Sequence, residues 1–265
     1  MINNKPIGIF DSGLGGLTVL KALSKELPNE SFIFFGDTAH VPYGNKSKEN
    51  IKIFSLAIIK FLLNYSVKMI VVACNTVSAV ALSDIQKTIN IPIIGVISPL
   101  KSYLKAHSRY KKIGIIGTEN TIHSKAYSKI IHDYNSKIEI YSLACPLFVP
   151  IIEEGLENHK IAYIVAEKYL QPLLNKKLNL LILGCTHYPI IYKTIKSILP
   201  NKTIIIDSAI ITAIEVKKYI NNNNLSSEDQ KQNIQAFVSD KPKQFKKNSA
   251  KFLGNQISAV QKADI

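Results

Sequence analysis

Two kinds of apolar pattern alternate along the chain. Short, continuous apolar runs occur at 7–10, 32–35, 69–73, 91–96, 112–116, 138–143, 180–183 and 203–206. Rich in β-branched residues and bounded by turn formers, they predict strands. Apolar residues in these runs do not alternate with polar ones, which predicts strands covered on both faces, as in a parallel sheet. The longer segments between them, such as 17–27 and 51–65, carry apolar residues at helical spacing and predict crossover helices.

The strand pattern repeats. Ile7-Gly8-Ile9-Phe10 resembles Ile113-Gly114-Ile115-Ile116, and the run at 32–35 meets that at 138–141 at the same offset. A slightly larger offset brings Val71-Val72-Ala73-Cys74 onto Ile182-Leu183-Gly184-Cys185, and Ile93-Ile94 onto Ile205-Ile206. Four strand positions matching in order, at offsets of about 106 to 112 residues, predict two similar α/β halves. Ligands of parallel α/β sheets bind beyond the carboxyl ends of the strands. Residues that follow strands in the two halves are therefore expected to face each other across one cleft. Among them are Asp11-Ser12-Gly13, Gly36-Asp37, Cys74-Asn75-Thr76, Thr118, Cys145 and Cys185-Thr186-His187. Two of these are cysteines in equivalent positions.

A thiol at a strand-to-helix junction meets unpaired helix N–H groups, which favour the thiolate. Cys74, taken alone, reads equally well as a buried structural cysteine. Cys185 heads Cys185-Thr186-His187-Tyr188-Pro189, with Pro189 suited to a first helical turn and His187 able to polarise the thiol. Neither a CxxC nor an HxxxH accompanies these residues, so a zinc site and a CxxC-type redox dithiol are both disfavoured. Asp11-Ser12-Gly13-Leu14-Gly15-Gly16 follows the first strand and opens a helix, a place where backbone N–H groups can approach a small anion. It is neither a dinucleotide fingerprint nor a Walker loop. Asp11 reads as an acid-base or ammonium-binding group, or as a helix cap. Tyr43 in Pro42-Tyr43-Gly44 covers a ligand or only a turn, and Glu153 assists a base or only faces solvent.

Composition narrows the class. The chain has 265 residues, near-average hydrophobic content and a net charge of +14, from basic residues that are nearly all lysines scattered along its length. With no nucleic-acid module, that charge reads as a solvated lysine-rich surface, not a nucleic-acid interface. No apolar run is long enough to span a bilayer. The first strand begins too early for a signal peptide, and three widely spaced cysteines make no disulfide framework. A cytoplasmic protein with free thiols is expected.

Together these motifs resemble the glutamate racemases of the cofactor-independent aspartate/glutamate racemase superfamily. The resemblance rests on Ile9-Phe10-Asp11-Ser12-Gly13-Leu14-Gly15-Gly16, Gly36-Asp37-Thr38 with Pro42-Tyr43-Gly44, Ala73-Cys74-Asn75-Thr76, Cys145-Pro146-Leu147-Phe148-Val149-Pro150 with Glu153-Glu154-Gly155, and Gly184-Cys185-Thr186-His187-Tyr188-Pro189. It extends to Phe237-Val238-Ser239-Asp240 and Phe252-Leu253-Gly254 as a closing strand and helix. The resemblance implies two similar α/β domains, each a mostly parallel sheet flanked by helices, with the active site in the cleft between them. Residues 1–97 with 209–265 would form the first domain, and 98–208 the second. It places the acid-base cysteines at Cys74 and Cys185, with support from Asp11, Glu153 and His187. Substrate contacts fall on Asp11, Ser12, Tyr43, Gly44, Asn75, Thr76, Thr118, Thr186 and His187. His187 after Cys-Thr is the glutamate-type pattern. No cofactor and no metal are implied; a homodimer is, together with supply of D-glutamate for peptidoglycan. A small-anion binding protein using the same cleft would leave the matched cysteines without a role.

Overall fold

The computed structural model describes residues 4–228, 231–253, 257 and 259–265. Gly254 and the side chain of Phe252, both in the closing motif, lie outside the described residues. The strands are β1 (Ile7–Asp11), β2 (Phe32–Gly36), β3 (Met69–Val72), β4 (Ile93–Gly95), β5 (Lys112–Gly117), β6 (Glu139–Ala144), β7 (Leu180–Gly184), β8 (Ile204–Asp207), β9 (Ile234–Val238) and β10 (Val260–Lys262). The eight expected runs are β1 to β8, with ends moved by one or two residues.

They form two wholly parallel sheets, ordered β10-β9-β2-β1-β3-β4 and β6-β5-β7-β8. The second order repeats the run β2-β1-β3-β4 of the first, strand for strand, as the sequence repeat predicts. The first sheet is larger because the C-terminal part of the chain returns to it. β9 pairs with β2 in the register Phe32↔Ile234 to Gly36↔Val238, and β10 adds outside β9.

Helices cover both faces of each sheet, so β1, β2, β3 and β7 are buried at every position. On one face of the first sheet, the helix Gly16–Glu26 packs through Leu17, Leu20 and Leu23. On the other face, Lys48–Leu63 packs through Ile51, Ile58 and Leu62. Ser47 caps that helix, accepting a hydrogen bond from the N–H of Asn50 at 3.2 Å. The helix Pro242–Leu253 joins the first core through Phe245, whose ring lies 5.9 Å from that of Phe34. The helix Ser208–Asn222 spans the two halves. Ala209, Ala213, Val216 and Ile220 enter the core of the first half, while Ile211 enters a core of the second. Among the described residues no helix is long and apolar enough to cross a membrane.

Candidate active site

In both sheets the first strand lies between the second and third, so the chain leaves β1 toward one side and β3 toward the other. A crevice opens at such a switch point, beyond the carboxyl ends. Cys74 stands there in the first half, one residue after Ala73, at the start of the helix Asn75–Val80. Cys185 stands there in the second, directly after β7. The two crevices face each other and merge into one narrow cavity. Its walls from the first half are Ser12, Tyr43, Gly44, Cys74, Asn75 and Thr76. From the second half come Thr118, Cys185, Thr186 and His187. Pro42 and Val149 complete it; Val149 is an apolar wall residue that its own motif gave no reason to single out.

Polar wall residues are held by a further set of side chains. The Tyr43 hydroxyl donates to the buried Asp37 carboxylate at 2.5 Å, and Ser239, beyond β9, donates to the other Asp37 oxygen at 2.6 Å. The C-terminal strand thereby steadies the turn over the cavity. Asn120 ties that turn to the second half, its amide donating to the carbonyls of Tyr43 and Lys46. Thr76 and Thr118 meet across the cleft, hydroxyl to hydroxyl, at 2.9 Å. The amide nitrogen of Asn75 donates to the hydroxyl of Tyr127 at 2.7 Å.

Asp11 and Glu153 do not line the cavity. Asp11 is fully buried behind the wall, accepting from the N–H groups of Gly13 at 3.2 Å and Gly16 at 2.7 Å. Glu153 accepts from the Leu14 N–H at 3.1 Å. The glycine-rich loop was expected to offer its N–H groups to a bound anion; it offers these to two carboxylates of the chain itself. Its glycines serve close approach. A Cβ at Gly15 would collide with the imidazole of His187, and one at Gly13 would stand 2.7 Å from Glu153 Oε1.

A line of hydrogen-bonding groups runs back from Cys185. Its sulfur lies 3.9 Å from His187 Nδ1, and His187 Nε2 lies 2.6 Å from Glu153 Oε1. Burial by itself would lower the His187 pKa; hydrogen bonding to Cys185 and Glu153 outweighs it and holds the imidazole well above its ordinary value. Burial likewise pushes Glu153 up, but the His187 hydrogen bond and charge overcome it, leaving the carboxyl below its usual range. Cys74 sits differently. Burial and then the nearby Asp11 charge push its thiol well up, opposed by the Val77 N–H and Ser12, whose hydroxyl is 3.9 Å away. Burial also raises Asp11. The third cysteine, Cys145, is fully buried in the core of the second half, and its thiol is pushed up chiefly by burial. Among the described residues no three His, Cys, Asp or Glu side chains gather as a metal site would require.

The His187–Glu153 pair makes a test with a defined sign. Glu153→Gln removes the negative partner while leaving the burial that disfavours the imidazolium. The ring titration of His187, followed by NMR, is expected to move to lower pH. Its protonated form, which in the parent protein persists above the ordinary range, is then lost earlier as pH rises. An unmoved titration would mean that Glu153 does not control the imidazole.

Residues 8–216 match the family described as Asp/Glu/Hydantoin racemase. The chain belongs to that family. As a member it is a racemase, an isomerase. The glutamate racemase of Geobacter metallireducens is 44% identical over 262 residues, which cover 98% of this chain and 97% of that protein. The crystal structure of a glutamate racemase isoform from Bacillus anthracis matches with a TM-score of 0.95 at 35% identity, over 99% of this chain and 98% of the other. A glutamate racemase from Francisella tularensis, solved in complex with D-glutamate, matches with a TM-score of 0.90 at 39% identity, over 99% and 97%. The similarity to these relatives thus includes the C-terminal part that returns to the first sheet, beyond the residues the family model matches.

Proposed function

We propose that this racemase is a cofactor-independent glutamate racemase that interconverts L- and D-glutamate by a two-base, thiol/thiolate mechanism. The observation that carries the reading is the presence of two buried thiols, Cys74 and Cys185, lining one cavity, contributed by structurally equivalent strand ends of the two halves. Inverting an α-carbon requires removing its proton on one face and delivering another on the opposite face. A thiolate on one side takes the proton; a thiol on the other gives one; the roles exchange in the reverse direction. Cys185 is assigned as the base toward L-glutamate and Cys74 as the base toward D-glutamate.

The supporting groups differ between the two sides. His187, held in place through Glu153, turns its Nδ1 toward the Cys185 sulfur and supports that thiol as the base. On the other side burial, and after it the Asp11 charge, favours the neutral thiol of Cys74, which suits a group poised to donate. Asp11 acts through the Ser12 turn and through Thr186, whose hydroxyl lies 3.4 Å from its carboxylate. Among the described residues neither lysine nor arginine lines the cavity. Tyr43 and Asn75, whose own donors are held by Asp37 and by Tyr127 and Ser208, shape the wall around the substrate. The substrate carboxylates are therefore assigned to neutral donors, the side chains of Ser12, Thr76, Thr118 and Thr186 and the N–H groups of the Gly44 turn, together with His187. Such donors stabilise the charge that develops as the α-proton leaves. Glutamate, and not aspartate, is assigned because the close relatives aligned over the full chain are glutamate racemases.

The same reading includes a cytoplasmic homodimer that supplies D-glutamate for peptidoglycan. It divides the chain into residues 1–97 with 209–265 and residues 98–208, in keeping with the two sheets. The deciding experiment follows the circular dichroism of L-glutamate, and separately L-aspartate, in D₂O with dialysed, EDTA-treated protein and no pyridoxal phosphate. Decay to zero with glutamate, accompanied by α-deuterium uptake, is expected. Decay with aspartate alone would keep the mechanism and change the substrate; decay with neither would overturn the reading.

A further inference from the structure

Tyr127 lies on the helix Ala126–Tyr134, outside the cavity, and none of the sequence motifs includes it. Its side chain is 2% exposed, in a core it shares with Leu180 and Ile182 of β7. Two contacts give it a particular place. Its ring packs on Gly184, the residue before Cys185: a Cβ at Gly184 would stand 3.1 Å from Tyr127 Cε2. Its hydroxyl accepts the hydrogen bond from Asn75, the residue after Cys74, at 2.7 Å. One rigid side chain therefore reaches from the turn that carries one thiol to the turn that carries the other.

The Asn75 end is also held from a third direction. Its amide nitrogen lies 3.3 Å from the hydroxyl oxygen of Ser208, at the start of the helix that spans the two halves. Asn75, Tyr127 and Ser208 are each buried, and their polar atoms meet one another in a region with little access to water. Losing the Tyr127 hydroxyl would leave the Asn75 amide one partner short there, so the turn bearing Cys74 would shift or loosen.

We propose that Tyr127 is a positioning residue that sets the separation between the two thiol-bearing turns, with Ser208 as its second anchor. The proposal rests on the two-thiol reading, because it concerns the distance across which a proton is removed and another returned. Inversion succeeds only if the opposite thiol stands close to the α-carbon when the carbanion forms. Reacting atoms must be about 3–3.5 Å apart, and a misplacement of about 1 Å can cost on the order of 10²-fold in rate. A loosened strut leaves abstraction by the near thiol intact and slows delivery from the far one. The carbanion then returns more often to the face it came from.

The test is Tyr127→Phe, which keeps the ring against Gly184 and removes only the hydroxyl. Racemization of L- and D-glutamate is followed in D₂O alongside the melting temperature, with deuterium measured separately in returned substrate and in product. A fall in kcat of about 10- to 100-fold with a smaller change in KM is expected. The ratio of deuterium in returned substrate to deuterium in product should rise several-fold. Ser208→Ala should shift the same ratio in the same direction by less, and it substitutes if Tyr127→Phe does not fold. Lower activity or melting temperature with an unchanged ratio would assign Tyr127 a structural role only and overturn the proposal, as would unchanged kinetics. Failure of the parent protein to racemize glutamate would instead overturn the functional reading.

Discussion

Cys74→Ala and Cys185→Ala are each expected to abolish measurable racemization in both directions, yet to differ in the half-reaction they retain. Removing either thiol removes the proton acceptor in one direction and the proton donor in the other. A positioned acid or base contributes about 10²–10⁴-fold, and both roles of the lost group disappear together. With only Cys74 present, the α-proton of D-glutamate should still exchange with D₂O, and that of L-glutamate should not. With only Cys185 present, the pattern should reverse. Proton NMR of the α-position, run separately on each enantiomer with each variant, reads this directly. Full racemization by either variant would sink the assignment. Equal exchange of both enantiomers by one variant would show that a group other than the missing thiol acts on that face. Because both cysteines are buried, melting temperatures of the variants are needed to separate lost chemistry from lost folding.

Gly15→Ala is expected to have the largest effect of any change outside the cavity walls. The added methyl would fall on His187, 2.7 Å from its Cε1, and 2.5 Å from Thr186 Oγ1. His187 has no free side to move toward, since Cys185 holds one ring nitrogen and Glu153 the other. Accommodating the methyl therefore breaks one of those two contacts or pushes the Gly15 loop out of the cleft. Overpacking of this kind costs about 1–3 kcal/mol of stability. Displacing the imidazole by about 1 Å is expected to lower the rate by on the order of 10²-fold. Gly8→Ala serves as a control, because the nearest atoms to a Cβ there are side-chain methyl groups of Leu62 and Val67, at 3.3 Å or more. Melting temperature and kcat of the pair should separate clearly. Equal activity in the two variants would show that His187 needs no fixed position.

The local pattern was sufficient for much of the architecture. A strand buried on both faces must be apolar at nearly every position, so β1, β2, β3 and β7 were visible as runs. The edge strands β6 and β8 are only partly covered, against the expectation of two-sided burial, yet kept enough apolar positions for the repetition to expose the two halves. The end of an apolar run before a helix also marks the carboxyl end of a parallel strand. Cys74 and Cys185 could be paired for that reason, although 111 positions separate them. What periodicity cannot carry is which distant side chain meets which. β10 is three residues long, two of them polar and exposed, and became a strand only because the β9 edge was there to pair with. The glycine-rich loop announced close approach to something; that it was Glu153 and His187 followed from the docking of the second half. Asp11 could be read as a cap or as an acid-base group until its carboxylate was seen facing the loop N–H groups and not the cavity. Val149 and Tyr127 looked like ordinary apolar and helical residues, because their neighbours across the cleft come from remote parts of the chain. Short-range order in this protein follows from burial repeated at short intervals along the chain; the spacing and support of its two thiols arise only where two separately built halves meet.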